Sequence, residues 1–310
     1  MDASAQPNPM PQPVVVKRHL ASTRIWHWVN ALSVFLMLMS GLMILNAHPR
    51  LYWGQYGANA DHAWLEIGST MNGRGFLRVG SLRVGTTGLL GYRLDSNGQP
   101  NRRAFPGWAT VPSGYDLAAG RRWHFFFAWV LAIGLVAYAA ISLGNRHWRD
   151  VAPSPDELAP RHLWQEIKDH ARLHFPTGEA ALHYNSLQKL SYFGIVAILL
   201  PLVILTGLTM SPNMDAAWPW LLDLLGGRQS ARSIHFLCAV LIALFILVHL
   251  LMVVLAGPIN EVRAMITGWY RVPQPVRHPR ESGDSAFASV PDATADLDYR
   301  IRGNDEGVAE

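Results

Sequence analysis

Charged side chains are scarce: they make up 15% of the 310 residues, while 50% are hydrophobic. A soluble domain carries about 25% charged residues, so the scarcity favours a membrane class before any motif is read. Cysteine is nearly absent too. Cys238 stands alone, which excludes an intrachain disulfide, and it sits in an apolar run where a buried, inert thiol is its expected role. The net charge of +4 gives no case for nucleic acid. Residues 1–16 are polar and proline-rich, without the apolar core and cleavage site of a signal peptide. They read as a disordered tail, which leaves the first apolar run as an uncleaved signal anchor.

What the chain has instead is long apolar runs, 12 tryptophans and a positive mean hydropathy of +0.12. Four runs approach the ~20 residues needed to cross a bilayer: about 25–45, 123–143, 190–210 and 234–256. The expected fold is an all-α membrane protein, a four-helix bundle over 17–271 with a long loop, 47–121, between the first two spans. Residues 272–310 read as a disordered tail. Basic residues beside the spans set the orientation. Lys17, Arg18 and Arg24 precede the first span, Arg146 and Arg149 follow the second, and Arg263 and Arg271 follow the fourth. Only Arg228 and Arg232 lie between the last two spans. Both termini are therefore expected in the cytoplasm and the long loop outside, since loops beyond about 60 residues escape the rule.

The long loop holds Leu77-Arg-Val-Gly80 and Leu82-Arg-Val-Gly85, a tandem repeat suited to a hairpin with glycine turns. With Trp53, Trp64 and Trp108 it reads either as a docking surface for an outside partner or as a lid packed on the bundle. Residues 155–174 read as an amphipathic helix along the cytoplasmic interface. Its His170 and His174 lack a neighbouring Glu or Cys, so a solvated face is preferred to a metal site.

Four of the 13 histidines fall inside the spans: His27, His124, His235 and His249. His235 and His249 share one helix, 14 residues apart, within roughly 40° of one face and about 21 Å apart along the axis. Ionisable groups inside a span are costly and usually functional. Two at different depths suggest two cofactors stacked across the membrane, and imidazole is a natural axial ligand of haem iron. The plainer alternative is hydrogen bonding to neighbouring helices. With no C-x-x-C-H motif, any haem must be b-type and non-covalent. Bis-imidazole ligation needs two histidines per iron, so four serve two haems. Topology then pairs His124 with His235 on the outer side and His27 with His249 on the inner side.

Arg24, Arg121, Arg122 and Arg232 lie near these depths and suit haem propionates or, alternatively, lipid headgroups. Gly41, Gly134, Gly194 and Gly207 either let a porphyrin lie against backbone or let helices pack closely.

Arg24-Ile-Trp-His27-Trp-Val-Asn30, Arg121-Arg-Trp-His124 and the His235/His249 helix resemble bacterial di-haem b-type cytochrome subunits. These are the membrane anchors of nickel-iron hydrogenases, formate dehydrogenases and thiosulfate reductases. The resemblance covers roughly 17–270. Ala104-Phe-Pro-Gly-Trp-Ala-Thr110 and Asp215-Ala-Ala-Trp-Pro-Trp220 look like the thiosulfate reductase cytochrome b branch, which implies a molybdopterin oxidoreductase as partner. The extended outer loop departs from the compact hydrogenase anchors.

The resemblance implies electron transfer across the bacterial cytoplasmic membrane, between a quinone pool and a partner on the outer side. It also implies a quinone site by the inner haem, where Asn30, Tyr184, Asn185, Gln188 and Lys189 are the polar groups at that depth. Capping of the third span is the plainer role for Asn185 and Ser186. Rival functions are a free-standing haem oxidase, for instance of superoxide, a histidine-based proton or metal transporter, and a purely structural anchor. A transporter would want acidic residues in the spans, and the four spans as drawn contain none.

Overall fold

Four helices of the computed structural model are long and apolar enough to cross a membrane. The structure describes residues 15–144, 146, 148, 152–172 and 185–272; Arg149, His174, Tyr184 and the expected tails over 1–14 and 273–310 lie outside these. In chain order, strand β1 (Val15–Lys17) leads into helix α1 (Ala21–Leu45). The first loop carries β2 (Arg50–Leu51), β3 (Leu65–Ser69), β4 (Gly75–Val79), β5 (Leu82–Gly85), β6 (Arg93–Leu94) and β7 (Pro100–Asn101). Then come α2 (Leu117–Gly144), α3 (Pro160–Ala171), α4 (Ser186–Thr209), two one-turn helices α5 (Pro212–Ala217) and α6 (Pro219–Leu224), and α7 (Arg228–Ala256). Helix α8 (Pro258–Thr267) and strand β8 (Trp269–Arg271) close the described chain.

Local chemistry sets the helix ends. Asn185 opens α4 with a capping box, its Oδ1 accepting from the Gln188 amide at 2.8 Å while Gln188 Oε1 accepts from the Asn185 amide at 3.3 Å. Glu166 on α3 adds its carboxylate to the same helix end, accepting from the amides of Ser186 and Leu187 at 3.1 and 2.9 Å. Gly257, at φ 109°, ends α7 in a left-handed conformation that a side chain would disfavour, and Pro258 starts α8 at once. Within α4, residues Gly194–Leu199 form a π-helical stretch. Pro201 lies just beyond it. Having no N–H, and a ring that would clash with the carbonyl four residues back, proline favours such a local widening.

The spans keep most of their apolar surface on the outside: between 11% and 22% of each apolar window is buried. Exposed Leu, Ile, Val and Phe side chains along α2 and α7 are expected where lipid is the solvent. Between the helices lies one tight apolar layer of Val34, Leu131, Leu135, Leu200, Val203, Cys238 and Ile242. The lone cysteine is thus a core residue.

The first loop corrects the all-helical expectation. Strands β2 to β5 form an antiparallel sheet in sequence order, and β6 pairs with β7. The tandem repeat forms its predicted hairpin, with Val79 opposite Leu82 and Gly80 at φ 57° in the turn. Short alternating stretches between glycines favour strands over helix here. The loop behaves as a lid as well. Leu51, Leu65, Ile67, Ala104 and Phe105 pack with Leu42 and Leu45 of α1 and Phe236 of α7.

At the other end, β1 pairs with β8, placing Val15 and Val16 in a sheet rather than in a tail. This joins the two ends of the described chain, which four crossings would leave on one side of a membrane. Arg18 reinforces the junction by pairing with Glu261 at 3.6 Å and lying over the Tyr270 ring. Every helix starts earlier than hydropathy suggests: α1 at Ala21, α2 at Leu117, α4 at Ser186 and α7 at Arg228. Arg121, Arg122 and Arg232 therefore sit on helices rather than in flanking loops.

Candidate functional site: two imidazole pairs at two depths

The four span histidines meet two by two. His27 on α1 faces His249 on α7 with ring centres 6.3 Å apart and planes at 59°. His124 on α2 faces His235 on α7 at 6.2 Å and 60°. Two imidazoles on opposite sides of one metal atom, each bonded at about 2.0 Å, have ring centres about 6 Å apart. The donor set is also informative. Among the described residues no group of three or more His, Cys, Asp or Glu side chains gathers as a metal site. A metal held here would take its remaining ligands from outside these side chains, and a pair of imidazoles suits a haem.

At the His124/His235 pair both rings are held alike. Nδ1 of His124 lies 3.1 Å from the Met37 carbonyl and 3.2 Å from Ser40 Oγ. Nδ1 of His235 lies 3.0 Å from the Val203 carbonyl and 3.1 Å from Thr206 Oγ. Each hydroxyl donates back along its own helix, Ser40 to the Leu36 carbonyl at 2.6 Å and Thr206 to the Leu202 carbonyl at 2.7 Å. Carbonyls only accept and these hydroxyl protons are committed, so Nδ1 carries the ring proton at both histidines. Nε2 is then the free lone pair. Glycine completes each cradle. A Cβ on Gly41 would lie 3.4 Å from Cε1 of His124, and one on Gly207 would lie 3.4 Å from Cε1 of His235. A methyl group at either position would pack in van der Waals contact with the ring.

Gly134 fits the close-packing reading of the sequence, because a Cβ there would meet the Trp26 indole at 2.2 Å. Around Gly194 no described residue lies within 4 Å of that position.

The cradles escaped the sequence reading, although their signal is present. Leu36-x-x-x-Ser40-Gly41-Leu42 recurs as Leu202-x-x-x-Thr206-Gly207-Leu208, and Arg121-x-x-His124-Phe125 recurs as Arg232-x-x-His235-Phe236. Each half of the bundle carries one copy of both. The repeat stops at the level of His27 and His249. His249 follows His235 by the interval at which Tyr138 follows His124, and His27 precedes Ser40 by the interval at which Phe193 precedes Thr206. One pair results at that level where two would be symmetric.

The His27/His249 pair sits among aromatics. Phe245 stacks on His249 at 5.8 Å and Trp28 meets His27 edge-on at 5.3 Å. Helix α8 closes this end, where Arg24 donates to the Ile266 carbonyl and Trp28 Nε1 to the Met265 carbonyl. Oδ1 of Asn30 and Nε of Arg24 are buried there without a hydrogen-bond partner among the described residues. Just outside the span, burial and the charges of Arg18, His27 and Arg24 lower the pKa of His19 to about 4.

Of the other expected site residues, Arg232, three residues before His235, donates to the His48 carbonyl. Arg121 and Arg122 are exposed near the start of α2. Asn185 and Gln188 form the helix cap described above, and Lys189 pairs with Glu157 at 2.7 Å.

A family model described as prokaryotic cytochrome b561 matches residues 18–268. A chain of Azospira oryzae, named as the protein-methionine-sulfoxide reductase subunit YedZ1, is 29% identical over 153 residues, 49% of this chain and 72% of that one. A chain of Cupriavidus necator, named as a Ni/Fe-hydrogenase B-type cytochrome subunit, is 24% identical over 264 residues, 80% of this chain and 84% of that one. No solved structure gives a significant match.

Proposed function

Because the chain belongs to the prokaryotic cytochrome b561 family, we propose that it is a di-haem b-type cytochrome subunit. It carries electrons across the bacterial cytoplasmic membrane between the quinone pool and an oxidoreductase on the outer side. One observation carries this reading: the four span histidines pair at 6.3 and 6.2 Å, at two depths about 21 Å apart on α7. Haem supplies one-electron chemistry when bound. His27 and His249 would hold the inner haem, and His124 and His235 the outer one. The apolar layer around Leu131 and Ile242 keeps water from the space between. Arg232 and Arg24 stand ready for propionates.

For the quinone, the buried and unpartnered Oδ1 of Asn30 is the best acceptor for a quinol hydroxyl. Asn185, Gln188 and Lys189 already serve the fold, so they rank behind it. The two relatives are named for different enzymes, a sulfoxide reductase and a hydrogenase. A molybdopterin enzyme as partner therefore rests on the resemblance of 104–110 and 215–220 alone. Both termini in the cytoplasm, with the β-rich lid outside, follows from the basic residues flanking the spans.

The test is a reduced-minus-oxidised spectrum with haem quantified as pyridine haemochrome. Two b haems per chain are expected. His124→Ala or His235→Ala should remove one haem, and His27→Ala or His249→Ala the other. A chain without haem would overturn the reading.

A further inference from the structure

The duplicated cradle is absent from the inner pair. Among the described residues neither His27 nor His249 has a hydrogen-bond partner at its ring nitrogens, whereas His124 and His235 each have two at Nδ1. The same three parts recur on α1 and α4: a carbonyl, a hydroxyl one turn on, and the glycine that follows it. Both face the same ring nitrogen at distances within 0.1 Å of each other. Helix packing alone requires neither hydroxyl. Ser33 on α1 is also buried and bonds back to the Val29 carbonyl at 2.7 Å, yet it hydrogen-bonds to no histidine among the described residues.

We propose that Ser40 and Thr206 are positioning residues for the outer haem. With the Met37 and Val203 carbonyls they hold the Nδ1–H of both axial imidazoles, strengthen these ligands as electron donors, and set the outer haem to a lower potential than the inner one. The physical reason is the outer-shell effect. An imidazole whose N–H is engaged by an acceptor is a stronger donor to iron, and stronger donation stabilises the ferric state. Both ligands of the outer haem receive this support and neither ligand of the inner haem does. The unequal environments give the two levels unequal potentials, which supplies a gradient along α7. The inference rests on the four-histidine reading of the preceding subsection.

The experiment is a spectroelectrochemical redox titration of the purified, haem-loaded protein. The outer haem's wave is the one that survives in His27→Ala protein, and it should lie at the lower potential in the wild type. Combining Ser40→Ala with Thr206→Val removes both hydroxyls with little change of volume. The expected result is a threefold to tenfold rise in the ferrous-to-ferric ratio of the outer haem at fixed potential, up to about 59 mV for one electron. The inner haem stays in place. The exchange Ser40→Thr with Thr206→Ser keeps a hydroxyl at each site and should restore the wild-type value, and Ser33→Ala should leave both potentials unchanged.

Loss of the outer haem alone, reversed by the exchange, would show the same positioning in a more severe form. A fully loaded double variant with an unchanged outer potential overturns the inference, as does an equal shift of both haems. If the double variant loses both haems, Thr206→Val alone is judged by the same criteria. A wild-type chain lacking two haems instead overturns the functional reading itself, before any hydroxyl is altered.

Discussion

Trp64 in the β-rich lid donates its indole N–H to Ser233 Oγ on α7 at 2.9 Å, two residues before His235. Ser233 is fully buried and passes its own proton to the Tyr52 carbonyl. The lid and the histidine helix are thus joined through one saturated hydroxyl. Beside it, Gly54 accepts from the amides of Gln229 and Ser230 at 3.0 and 3.1 Å, capping the start of α7. The exposed Trp53 stacks on Trp64. Ser233→Ala leaves two buried groups without a partner and should cost about 1–3 kcal/mol, more than Trp64→Phe, which frees one. Thermal unfolding of the two variants in detergent checks the order. The reverse order would remove Ser233 from the centre of the junction.

Acid should loosen the lid. Glu66 is buried between Arg78 and Arg50, with Arg50 Nη2 at 2.6 Å. Burial pushes its carboxyl up, but the hydrogen bonds and charges of Arg78 and Arg50 outweigh it and hold the pKa below the ordinary value. A depressed carboxylate contributes fully above the unfolded pKa of about 4.3, and that contribution is lost as pH falls through the folded value. Proteolysis within 50–105 should therefore accelerate below about pH 4.3. Glu66→Gln should cost about 2 kcal/mol at neutral pH and flatten the acid response. An unchanged acid response in that variant would assign the lability to other groups.

Two glycines of the spans should respond oppositely. Gly134→Ala drives a methyl group into the Trp26 indole, which stacks on Tyr138 at 5.7 Å, and overpacking of this kind costs about 1–3 kcal/mol. Gly194→Ala meets open space and gains helix propensity, so it should be neutral or stabilising by up to about 1 kcal/mol. Melting temperatures of the two variants decide it. Equal effects would mean that the indole yields freely.

Orientation is open to labelling. The only native thiol, Cys238, is buried, so a cysteine placed at an exposed site can be read alone. Met71→Cys in the lid and Ile259→Cys on α8 are both well exposed. A membrane-impermeant maleimide applied to intact cells should label the first and spare the second until the membrane is opened. The opposite pattern would invert the proposed topology and move the quinone side with it.

Hydropathy and helical rise are local properties, and they made much of this protein legible from its residues. Four spans appear within a few residues of their observed positions because ~20 apolar residues in a row have no other common use. The matching depths of His27 with His249 and His124 with His235 follow from a constant rise per residue and an alternating chain direction. The structure brings those same pairs together. Even the β4–β5 hairpin was visible in its glycines. The rest depended on partners distant in sequence. The Nδ1 contacts of His124 reach back 87 residues to Met37, and Trp64 finds Ser233 across 169. The capping of α4 by Glu166 and the pairing of β1 with β8 are equally non-local. Only packing decides which carbonyl, hydroxyl or glycine comes to lie beside a given ring. The sequence by itself determined how deep each histidine lies, and the tertiary structure decided what holds it there.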